Sequence, residues 1–135
     1  VSTQSTGTIC LGAFSKCPKL KQVDLKNLKS LGAGVFSWCK SLKSFRAKNL
    51  LKIVFSDCFS CCSQLNAICC DLDPQQFVCS CTRCPICRNQ LPQCFKNGET
   101  LDKLQQIEYY RQIWKERFIQ QVERLKYILK IENTV

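Results

Sequence analysis

The sequence predicts an α/β chain: a short solenoid of about three coils with parallel strands on its concave face, a Cys-rich loop, and a long C-terminal α-helix. Three observations predict it. One frame of apolar residues recurs at intervals of 22 and 23 residues, thirteen cysteines occur in 135 residues, and no Gly or Pro interrupts the stretch from Glu99 to Glu132. The expected boundaries are 1–73 for the coils (9–28, 31–50 and 54–72), 74–98 for the Cys-rich segment and 99–135 for the helix.

The repeat is visible when Ile9–Leu28 is laid on Leu31–Leu50. Phe14 then falls on Phe36, Cys17 on Cys39, Leu20 on Leu42, Val23 on Phe45, and Lys26-Asn27-Leu28 on Lys48-Asn49-Leu50. In a third copy Phe59, Cys62, Leu65, Ile68 and Cys70 take the places of Phe36, Cys39, Leu42, Phe45 and Ala47. The frame is F-x-x-C-x-x-L-x-x-φ-x-φ, with φ apolar or Cys. Its alternating tail suits a short strand with one buried face. Its F-x-x-C head places Phe and Cys on one side of a single tight turn. One copy cannot cover its own apolar edge, whereas stacked copies share a core. Cys17, Cys39 and Cys62 are therefore expected to be buried, inert thiols.

This frame resembles the BspA-type leucine-rich repeat, also called the Treponema pallidum type, whose units run to about 23 residues. The resemblance covers residues 9–72 and implies a curved leucine-rich-repeat solenoid with a parallel sheet that binds proteins or host surfaces. The sequence departs from the type in places. The usual Ile-Gly before the Phe survives only as Leu31-Gly32, the usual Pro after the strand is missing, and the third copy adds Cys58, Cys61, Cys69 and Cys70.

In such a repeat the strands line the concave face, and residues between the buried positions point out of it. Gln22, Asp24 and Lys26 do so in the first coil and Ser44, Arg46 and Lys48 in the second. Ala67, Cys69 and Asp71 follow in the third. These positions are the expected surface for a protein partner, with a solvated face as the plainer alternative.

Pro74 ends the repeat, and Cys79, Cys81, Cys84, Cys87 and Cys94 follow. Cys84-Pro-Ile-Cys87 has the form of a zinc knuckle, because a C-x-x-C turn aims two thiolates at one tetrahedral ion. Cys79 and Cys81 (or Cys94) can complete four ligands, making structural zinc the candidate cofactor. A disulfide-bonded cap and plain reduced thiols remain open. Zinc would accord with the cytoplasm and disulfides with secretion or the cell surface. CPICRNQL also resembles the end of a RING domain, which implies a zinc-binding adaptor of ubiquitin-ligase character. That module needs two zinc sites, and this chain has no His and no matching upstream pair. Without His, Ser–His and Cys–His nucleophile pairs are excluded within the chain, and no enzyme is expected.

Strong helix formers fill residues 99–132, with Thr100 as the expected cap and Asp102 in the first turn. Spaced at about 100° per residue, Leu101, Leu104, Ile107, Tyr110, Trp114, Phe118, Ile119, Val122, Leu125, Ile128 and Leu129 share one half of the helix. Such a face is expected to pack on the end of the coils or to pair with a second copy, giving a homo-oligomer.

The net charge of +10 is uneven, with ten Lys/Arg against one acid in residues 1–52. Nucleic-acid binding through these basic repeats is the third functional reading, but no aromatic residue falls on the expected strand face to stack bases. No apolar run approaches the roughly 20 residues of a membrane span. The chain contains no Met, so we expect a fragment or a processed product.

Overall fold

A computed structural model describes residues 8, 9, 12–54 and 57–132. Cys10, Leu11, Phe55 and Ser56 of the repeat alignment, and 133–135 of the expected helix segment, lie outside the described residues. The chain divides into two units, Val1–Leu101 and Asp102–Val135.

Among the described residues the first unit holds two parallel three-stranded sheets. In one, β2 (Gln22–Asp24), β4 (Ser44–Arg46) and β6 (Ala67–Cys69) pair in the order β2-β4-β6. Val23, Phe45 and Ile68 are in register at its centre and are all buried, as the alternating tail of the frame predicts. The other sheet joins the two-residue strands β1 (Thr8–Ile9), β3 (Ser30–Leu31) and β5 (Lys52–Ile53). Sequence reasoning did not anticipate it, since two residues are too few to show an alternation.

The F-x-x-C head closes as a turn, with the Cys39 amide donating to Phe36 O at 3.2 Å and the Cys62 amide to Phe59 O at 3.0 Å. Each head bends through two left-handed residues. Gly12, Gly34 and Asp57 have φ of 64°, 62° and 63°, and Lys16, Trp38 and Cys61 have 57°, 61° and 59°. Glycine removes the steric cost at the first position in two repeats, and Asp is among the residues that tolerate that region best in the third. Inside the bend the rings stack: Phe14 on Phe36 with centroids 5.6 Å apart, Phe36 on Phe59 at 5.7 Å, and Phe59 on Phe77 at 6.2 Å. Each such pair adds about 0.5–1.5 kcal/mol beyond the area it buries. Phe95 ends the row edge-on to Phe77.

After a single 3₁₀ turn at Pro74–Gln76, capped by the Asp73 carboxylate on the Gln75 amide, the chain reaches α1 (Leu91–Glu132). The helix therefore starts well before the expected residue 99. Pro92 lies in its first turn, where a missing N–H costs nothing. Gly98 does not interrupt it, and a Cβ there would collide with the Ile68 carbonyl. This glycine allows backbone to approach backbone. Thr100 is not a cap but an interior residue, its hydroxyl donating back to Lys96 O at 3.2 Å. Leu91, Cys94 and Phe95 pack against the repeat core.

In the second unit α1 carries Arg111–Glu108 and Lys126–Glu123 pairs at i,i+3. Leu104, Ile107, Tyr110, Trp114, Phe118, Ile119, Leu125, Ile128 and Leu129 of its expected apolar half are exposed, and Arg117 lies 5.9 Å from the Trp114 ring centroid.

Candidate functional site

Two groups of expected site residues are brought together within the first unit. On the β2-β4-β6 sheet, Gln22 is the register partner of Ser44, and Asp24 of Arg46. Lys26, Lys48 and Asp71 lie just beyond the strand ends and are exposed. The charges on this face meet one another across repeats. Arg46 Nη1 is 3.8 Å from Asp24 Oδ2, and Lys48 Nζ is 3.7 Å from Asp71 Oδ1. A groove of about 530 Å³ opens beside the second pair, lined by Lys29, Lys48, Asn49, Leu51, Asp71 and Gln76 among others.

Ala67 is a correction to the expected face. It is buried, as is Cys69. The first turns of α1 lie against the backbone of this strand at Gly98, and a methyl group is too short to clear its surroundings. The third repeat thus contributes Asp71 to the face but no strand side chain.

The other group is the cluster of Cys79, Cys81, Cys84 and Cys87, whose sulfurs all lie within 4.8 Å of one another. Cys87 Sγ is 3.8 Å from Cys81 Sγ and 3.6 Å from Cys84 Sγ. None of the four is disulfide-bonded. Two overlapping C-x-x-C turns produce this geometry, one of them bent through left-handed Thr82 (φ 73°). Burial pushes the Cys84 thiol up to about 11 and Cys79 upward as well. Burial acts the same way on Cys81, but backbone amides of Cys61, Arg83 and Cys84 point at its sulfur from 3.2, 3.4 and 3.3 Å and bring it down to about 5. Four thiols gathered around one point, one of them held as thiolate by amides, suit a tetrahedral soft cation. In a zinc–tetrathiolate, with Zn–S of about 2.3 Å, neighbouring sulfurs lie roughly 3.8 Å apart. The residues present fit such an ion.

Cys94 is not part of this cluster. It lies buried on α1 with its thiol 3.9 Å from Leu65 O, the carbonyl to which it donates. Among the described residues one metal-ligating cluster is found, whereas a RING module would need two.

Sequence reasoning missed two features. Trp38 is exposed on the outer bend with Lys40 Nζ 5.5 Å from its ring centroid. The repeat frame leaves that position free, with Lys16 and Cys61 as its counterparts. The bond from the Cys61 amide to Cys81 Sγ crosses 20 residues and has no local signal.

Residues 2–82 match the family model described as BspA type Leucine rich repeat region (6 copies). No curated protein and no solved structure matches the chain.

Proposed function

The chain belongs to the BspA-type leucine-rich-repeat family, and from that premise we propose that it is a protein-interaction module. In this reading residues 9–72 form a short solenoid of three coils, and the partner binds its concave β2-β4-β6 face. One observation carries it. Buried Val23 and Phe45 alternate in register with outward Gln22, Asp24, Ser44 and Arg46, so that polar groups form a continuous patch on a rigid support. Lys26, Lys48 and Asp71 extend that patch, and the groove beside Lys48 offers a place for a partner side chain. Cross-repeat ion pairs at this exposure are worth about 0–1 kcal/mol, so they leave the charges available for exchange with a partner. Replacing Arg46 and Lys48 by Glu together should weaken partner capture while the chain stays folded, with only a modest fall in melting temperature from the like charges then facing Asp24 and Asp71. Undiminished capture by the folded variant would refute the face assignment.

A second reading concerns the cofactor. The sulfur spacing of Cys79, Cys81, Cys84 and Cys87 supports one structural zinc ion, which would hold residues 79–87 together without taking part in catalysis. Metal analysis of protein purified under reducing conditions should then find about one zinc per chain.

A further inference from the structure

We propose that the metal-loaded four-cysteine cluster is the end cap of the repeat stack, standing where a further repeat would be and making the order of the third repeat depend on the metal. The inference rests on the zinc reading above.

Its basis is a series of equivalent amides. Lys16, Trp38 and Cys61 occupy one position in three successive repeats, each with a left-handed backbone. The Lys16 amide donates to Ser37 O at 2.8 Å, and the Trp38 amide to Ser60 O at 2.7 Å. Each bond runs to the same point of the following repeat. Cys61 has no such repeat ahead of it, and its amide donates to Cys81 Sγ at 3.2 Å. A sulfur of the metal cluster thus replaces the carbonyl of the missing repeat.

Other groups around the cluster complete the closure. Arg88 Nη2 donates to Ser63 O at 3.0 Å, and Asn97 Nδ2 to Asn66 O at 2.7 Å. The Asn97 amide takes the place of a following strand, since the Asn66 amide itself donates to Lys43 O and the Lys43 amide to Lys21 O. Phe77 continues the stack of Phe14, Phe36 and Phe59. Asp57 donates its amide to Val78 O at 3.0 Å and accepts from the Ser80 amide at 3.1 Å. Repeat arrays need a terminal unit that closes the apolar end. Here that unit is too short to form a core, and an ion held by Cys79, Cys81, Cys84 and Cys87 supplies the cross-link that fixes Cys81 against Cys61. Thiols that still carry a proton release it to solvent as the ion binds.

The test is amide hydrogen exchange on the full chain under reducing conditions, with and without buffered free zinc. If opening of the third repeat requires release of the ion, zinc at about 100 times its dissociation constant slows exchange of the Cys61 amide roughly a hundredfold. The Lys16 amide, in the first repeat, should not change. Cys87→Ser removes a ligand but keeps the Cys61–Cys81 bond, and in zinc it should exchange at Cys61 as the metal-free protein does. If one zinc binds per chain, with the visible spectrum of a tetrahedral tetrathiolate in the cobalt form, and Cys61 exchange is nevertheless unaltered, the cap proposal fails while the zinc reading stands. If neither metal binds, both fail.

Discussion

The Cys62 thiol donates to the carbonyl of Phe36 in the preceding repeat, 2.9 Å away and fully buried, and Cys39 makes the same bond to Phe14 O at 3.1 Å. The repeated cysteine is thus more than a small apolar filler. It adds a second donor, from the next repeat, to a carbonyl that already accepts the Cys39 amide within its own turn, and a net hydrogen bond of this kind is worth about 0.5–1.5 kcal/mol.

Cys62→Ala should therefore lower stability by about 0.5–1.5 kcal/mol for the hydrogen bond it removes. Cys17→Ala should cost less, because Cys17 is only partly buried and its bond to Ser15 O is long, at 3.9 Å. Denaturant midpoints at constant slope give the comparison. Equal losses at the two sites would show that the hydrogen bond contributes nothing.

The same burial makes stability depend on alkaline pH. Desolvation pushes Cys39 and Cys62 upward from their ordinary 9.0, and Cys70 up to about 11. For a thiol raised in the folded state, the stabilisation is complete below the unfolded pKa and is lost as pH rises through the folded one. The melting temperature should hold up to about pH 9 and fall from there past pH 11. A melting temperature constant over that range would contradict the burial of these thiols.

Gly98→Ala should destabilise the first unit although alanine favours helix. The helix gain is roughly 0.5–1 kcal/mol, whereas the added Cβ must push α1 away from the Ile68 carbonyl, an overpacking cost of about 1–3 kcal/mol. A stabilised Gly98→Ala protein would mean that the helix does not approach β6 as described.

Much of this was legible beforehand, for reasons that differ by element. The register of Val23, Phe45 and Ile68 follows from the 22- and 23-residue offsets, since one repeat frame specifies one stacking. The four-sulfur cluster was legible because C-x-x-C spacing is a local constraint. The start of α1 was not. Pro92 and Gly98 read as breakers, and only the contact with Ile68 shows that one is a first-turn residue and the other a close-approach residue. Ala67 was misread because the residues that cover it are distant in sequence.

Ile107, Trp114, Phe118, Leu125 and Ile128 are exposed along α1 at spacings of seven, four, seven and three residues. We propose that this row is an association surface. The chain should sediment as an oligomer whose mass depends on concentration, and Trp114→Glu with Phe118→Glu should yield the monomer. A wild-type chain that stays monomeric at high concentration would oppose this.

The most direct test of the interaction role is site-specific photo-crosslinking in extracts of the cells that make the protein. A photoreactive phenylalanine analogue is placed either at Ser44, between Gln22 and Ala67 on the strand face, or at Ser63 beyond the outer bend. The account predicts a discrete crosslinked partner from Ser44, lost when Arg46 and Lys48 are both changed to Glu, and none from Ser63. Crosslinking from Ser63 with a silent Ser44 would contradict it.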